Sequence, residues 1–98
     1  MRFPKAAPEA KRQRKQAGAW LQELRNRANL SQVELAGRLG LKYYTFVSQI
    51  ENGFGRVPTD LMEPWARALG ADPCEFAGTL LSFYDPVLHR LLFERSKR

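Results

Sequence analysis

Ser31 and Glu34 form an S-x-x-E pattern, and Leu39-Gly40 closes the segment that they open. A serine that caps a helix, with a glutamate three residues on reaching back to it, fixes a helix start near Gln32. Glycine takes a left-handed backbone conformation at little steric cost, so Gly40 ends that helix. Leu35, Ala36 and Leu39 then share one face. A second run follows, in which Val47 and Ile50 face inward with Leu41 before Asn52-Gly53 supplies another stop. Residues 30–53 are therefore held to two short helices joined at a tight corner.

What the inward set leaves outside on the second of these helices is Tyr44, Thr45, Ser48 and Gln49. This face carries hydrogen-bonding groups and no charge, which suits base edges better than bulk solvent. Gln49 is the strongest base-reading candidate, because a carboxamide donates and accepts together and so matches the N6 and N7 edge of adenine. Thr45 and Ser48 can read several bases. Tyr44 is placed to reach a phosphate or a thymine methyl, while Tyr43 has two readings, DNA backbone contact or packing on the core. Phe46 is expected to be at least half buried. Gln32 stands at the positive end of its helix, where backbone N–H groups favour a phosphate.

Ninety-eight residues make one small domain with a modest core. Pro73, Pro86 and several glycines fall at apparent boundaries, and no stretch alternates with period two for long enough to suggest a sheet. The expected fold class is all-α, with five or six helices. No stretch approaches the length of a membrane span and the N-terminus lacks the apolar core of a signal peptide, so a cytoplasmic, nucleoid-associated protein is expected. Cys74 is the single cysteine, which excludes an internal disulfide and a Cys-rich metal site and leaves a buried thiol as its expected role. His89, the single histidine, is expected at the surface. No nucleophile–base pair or metal constellation is legible, so neither enzymatic activity nor a cofactor is expected.

The ordered set Leu24-Arg25, Leu30-Ser31-Gln32, Leu35-Ala36, Leu39-Gly40, Ile50-Glu51-Asn52-Gly53, Ala66 and Ala68-Leu69-Gly70 resembles the lambda-repressor-like, Cro-type (xenobiotic-response-element) helix-turn-helix family. The resemblance runs from about Trp20 to Phe76. It implies a compact DNA-binding domain with its helix-turn-helix at helices 2 and 3. It also implies an ion pair between Arg25 and Glu51, a structural clamp holding the third helix against the first. One departure is visible: the segment between Gly40 and Val47 is one residue longer than the commonest family spacing. The extra residue falls in Lys42-Tyr43 and lengthens the turn.

The net charge of +6 is unevenly spread, for residues 1–17 hold six Lys or Arg against one Glu. Residues 18–56 carry a surplus of about +2, residues 57–94 one of about −4, and Arg95, Lys97 and Arg98 close the chain. Such polarity orients a protein on a polyanion. Residues 1–17 lack apolar periodicity and are expected to form a flexible basic arm, with a helical extension of the first helix back to Lys11 as the alternative. Arg12, Arg14 and Lys15 in that segment, with Lys42 and Arg56 further on, are the cationic candidates for the DNA backbone.

Residues 18–84 are read as the helix-turn-helix domain. Within them Leu21, Leu24 and Ala28 take core spacing with Trp20 beside them, and Thr59 is the candidate N-cap of a helix carrying Trp65 and interrupted by Pro64. Asp72-Pro73-Cys74-Glu75 is a strong helix start, continued at core spacing by Phe76, Leu80, Phe83 and Tyr84. Residues 85–98 are read as an apolar helix opened by Asp85-Pro86, followed by a basic tail. Leu88, Leu91, Leu92 and Phe93 on that helix need a cover, either their own core or the same surface on a second copy, and the second is favoured.

These features point to a sequence-specific regulator of transcription, bacterial or phage in style. A homodimer would read a pseudo-palindromic operator in double-stranded DNA through the third helix. Repression and activation through RNA polymerase need the same reading surface. The principal alternative is an antitoxin whose C-terminal helix docks a toxin. A further one is a non-specific nucleic-acid binder driven by the basic arm.

Overall fold

The computed structural model describes residues 8–94, which form six α-helices and no strand. In chain order these are α1 (Pro8–Arg27), α2 (Gln32–Arg38), α3 (Thr45–Glu51), α4 (Thr59–Ala68), α5 (Pro73–Tyr84) and α6 (Pro86–Phe93). The all-α class and the helix-turn-helix at the second and third helices are as expected. Residues 1–7 of the basic segment, and Arg95, Lys97 and Arg98 of the tail, lie outside the described residues.

Residues 8–17 follow the alternative reading, a helical extension of the first helix reaching past Lys11, rather than a flexible arm. Residues 8–17 are helical and continue without a break into the rest of α1. Ala, Lys, Arg and Gln are good helix formers, and Glu9 in the first turn complements the helix dipole. Propensity alone would leave such a segment marginal in water. Tertiary anchoring decides the matter, since Ala17, Gly18, Leu21 and Arg25 of the same helix are buried.

Local chemistry sets the bounds of the shorter helices. At α2 the Glu34 amide donates to Ser31 Oγ at 3.0 Å and the Ser31 amide donates to Glu34 Oε1 at 2.8 Å, completing the capping box. The bond from the Ser31 amide, and after it the Ser31 side chain, lower the Glu34 carboxyl from its ordinary value. Gly40 then turns left-handed at φ +74°. Its amide donates to Gly37 O at 3.1 Å, and the Leu41 amide reaches back to Ala36 O at 2.9 Å. This pair of bonds is a Schellman motif. It recurs at the end of α3 through Gly53 and Phe54, and at the end of α4 through Gly70 and Ala71.

Leu21, Leu35, Val47, Trp65, Phe76 and Leu80 are fully buried and bring α1 to α5 around one core. Trp20 packs its ring on Phe76 and Phe83, with centroids 5.4 Å and 6.0 Å away. Asp72 caps α5 as expected, accepting from the Glu75 amide at 2.9 Å. Two expectations fail nearby. Pro58, in extended backbone, occupies the N-cap position of α4, so Thr59 is its first helical residue and caps nothing. Cys74 is exposed rather than buried. The inward positions of α5 are Phe76, Leu80 and Tyr84, and Cys74, two residues before Phe76, points away from them.

Candidate nucleic-acid interface

Helix α3 is seven residues long and buries Val47, Ile50 and Glu51. Its other side presents Thr45 and Gln49 to solvent, with Ser48 partly covered between them. Positions i, i+3 and i+4 of a helix adjoin one another, so these three side chains form one stripe. Asn52 continues it one turn on and donates its Nδ2 to Ser48 Oγ at 3.4 Å. Asn52, expected only as a stop signal, lies on the same face by its place seven residues after Thr45. Tyr44 occupies the N-cap position with helical backbone angles and remains exposed. Tyr43 is 65% exposed, which excludes its packing on the core. The lengthened turn carries it outward, where Lys42 lies over its ring at 5.6 Å from the centroid.

The inner side of α3 is fixed by charge. Arg25 Nε donates to Glu51 Oε2 at 2.8 Å and Arg25 Nη2 to Glu51 Oε1 at 3.0 Å, a bidentate pair with both side chains buried. Arg25 Nη1 also donates to the Leu30 carbonyl at 2.8 Å, and Gln32 Nε2 to Glu51 Oε1 at 3.0 Å. Side chains of α1 and α2 thus converge on one carboxylate of α3, and the α1–α2 loop is tied in through Arg25. The partly buried carboxamide of Gln32, a residue expected at a phosphate, is turned inward toward Glu51. The Arg25–Glu51 pair was reachable through the family resemblance, whereas the part of Gln32 in it was not.

Arg56, another residue expected at the DNA backbone, is exposed and paired within the protein. Its Nη2 donates to Asp85 Oδ2 at 2.7 Å, and its guanidinium lies over the Tyr84 ring at 4.6 Å from the centroid. The pair ties the α3–α4 loop to the junction of α5 and α6. The Val57 amide strengthens the tie by donating to the Tyr84 hydroxyl at 3.1 Å. Burial pushes the Tyr84 phenol up, outweighing the lowering by that hydrogen bond and by the charges of Arg56 and Arg14.

Arg12, Arg14 and Lys15 stand on the helical surface of α1 rather than on an arm. Arg14 and Lys15 meet the end of α3, lining an open groove with Lys11, Asn52, Gly53 and Phe54. At the far end of the chain α6 buries none of its residues, and Leu88, Leu91, Leu92 and Phe93 all remain exposed. His89 stacks on Phe93 with centroids 4.8 Å apart. Among the described residues no helix is long and apolar enough to cross a membrane, and no group of three or more His, Cys, Asp or Glu side chains is placed to hold a metal.

A family model described as a helix-turn-helix domain matches residues 16–77. No curated protein matches the chain.

Proposed function

Because the chain belongs to the helix-turn-helix domain family, we propose that it is a sequence-specific regulator of transcription of the Cro type, reading double-stranded DNA through α3. The observation that carries this reading is the pairing of two faces on one short helix. Outward lie Thr45, Ser48 and Gln49, hydrogen-bonding and uncharged, with Tyr44 at their head. Inward lies Glu51, locked by Arg25 and Gln32. A surface that reads base edges must be held in place before it meets them, and a buried bidentate pair supplies that rigidity. Lys42 and Tyr43, exposed on the turn just before α3, are the companions proposed for the strand backbone.

Gln49 is solvent-exposed and has no side-chain hydrogen bond to another described residue, so both ends of its carboxamide are available to a base. Gln49→Ala is expected to cost about 1–3 kcal/mol of binding and to relax preference at one base position. The measurement is a selection from random duplexes with the unaltered chain, followed by titration of the enriched duplex and its single-base variants. An equal loss on every variant would remove Gln49 from base reading.

The unit on DNA is proposed to be a homodimer joined through α6. Its apolar side chains form a contiguous exposed surface of the kind that monomeric proteins rarely leave open. Two copies would set their α3 helices about 34 Å apart on a pseudo-palindrome. Sedimentation at micromolar concentration is expected to give a dimer, and Leu88→Lys with Leu91→Lys a monomer that retains its helical content. A monomeric unaltered chain would turn the reading toward an antitoxin whose α6 awaits a toxin.

A further inference from the structure

Lys11, Arg14 and Lys15 sit at i, i+3 and i+4 on the first turns of α1, ahead of residues 16–77, which the family model covers. Like charges at such spacing repel and weaken a helix, so their grouping calls for an anion. None of the ion pairs among the described residues engages them. They border a groove of about 360 Å³ whose other wall is Asn52, Gly53 and Phe54, with no carboxylate in its lining. The wall is set close, since a Cβ on Gly53 would lie only 2.8 Å from Lys15 Cα. Phe54, 81% exposed, stands at the rim with none of the described residues covering it.

The place of the groove specifies its occupant. It opens where α3 ends, because Asn52, Gly53 and Phe54 follow Glu51 directly. A helix of this length spans roughly 10 Å, close to the width of the major groove, about 12 Å. When the first residues of such a helix meet the bases, its last turn comes up beside a flanking strand.

We propose that this groove is a second DNA contact, which binds the sugar-phosphate strand bordering the stretch read by α3. Lys11 and Lys15 neutralise phosphates there, Arg14 lies between them, and Phe54 packs on a deoxyribose. The inference rests on the reading of α3 as the DNA-reading helix. Over residues 8–17 it puts a helical basic ledge in place of the expected flexible arm, one that grips any sequence.

The test is titration of the full chain with an arbitrary 24-bp duplex between about 50 and 200 mM salt. The double variant Lys11→Ala with Lys15→Ala is expected to flatten the plot of log K against log salt by about two, each phosphate contact contributing about 0.9. The affinity lost across that salt range then shrinks about 12-fold relative to the unaltered chain. Phe54→Ala is expected to weaken binding at every salt concentration with the slope unchanged. Circular dichroism melting verifies that both variants are folded. An unchanged slope in the double variant overturns the proposal, as does poly-glutamate bound by the unaltered chain with the same slope as the duplex. Failure of the α3 reading shows separately, in base preference: the ledge variant keeps preference and loses slope, whereas Gln49→Ala does the reverse.

Discussion

Glu51→Ala is expected to remove about 3–5 kcal/mol of folding stability, because it leaves the Arg25 guanidinium buried and uncompensated. Arg25 cannot follow its lost partner into solvent. It is held on α1 beneath the α1–α2 loop, with Nη1 committed to the Leu30 carbonyl at 2.8 Å. Gln32 loses its acceptor at the same time. Domains of this size hold roughly 5–15 kcal/mol in all, so one substitution consumes a large share. The melting temperature should fall by something on the order of 20 °C. Thermal melting followed by circular dichroism measures it, and a fall of only a few degrees would show that the pair is dispensable. Replacing both partners, Arg25→Met with Glu51→Leu, should recover part of the loss by removing the isolated charge. Recovery stays incomplete, because the Leu30 carbonyl and the Gln32 amide are then left without partners, at about 1–3 kcal/mol each if buried.

How far the sequence reached depends on the range of the interaction that decides each feature. Helix ends are settled within five residues, so the Ser31–Glu34 box, the Asp72 cap and the stops at Gly40 and Gly53 were all legible. Core spacing on α5 was legible for the same reason, since Phe76, Leu80 and Tyr84 recur at the helical period. The Arg25–Glu51 pair spans 26 residues, and only the family resemblance linked its members. The bond between Arg56 and Asp85 spans 29, and no local pattern joins the two. Residues 8–17 stayed open between arm and helix for a related reason. Their composition permits helix or coil, and the choice falls to Gly18 and Lys15 meeting the end of α3, a contact invisible along the chain. Gly18 did leave one signal, its place three and seven residues before Leu21 and Arg25 on the buried stripe.

That glycine yields the second large effect, in the opposite direction from helix propensity. Alanine is favoured over glycine inside a helix by about 1 kcal/mol, and at Gly37 of α2 that preference should be realised, for a Cβ there meets nothing within 4 Å. Gly37→Ala is therefore expected to stabilise the protein by about 1 kcal/mol. At Gly18 the same methyl would lie 2.1 Å from the Glu51 carbonyl oxygen, 2.6 Å from its carbon and 2.8 Å from the Ile50 oxygen. All three are backbone atoms at the end of α3, and no rotamer change can withdraw them. Either α1 or α3 must move, separating Leu21 from the core or drawing Glu51 off Arg25. Overpacking of this kind costs about 1–3 kcal/mol where side chains can yield, and the upper end applies where backbone must. Gly18→Ala is thus expected to destabilise by about 3 kcal/mol. Urea denaturation of the two variants gives both signs in one experiment, and shifts of the same sign would refute the close seating of α1 on α3. Binding discriminates further. Because the atoms displaced by Gly18→Ala belong to the helix that carries Gln49, base preference should weaken in whatever fraction stays folded, while Gly37→Ala keeps it intact.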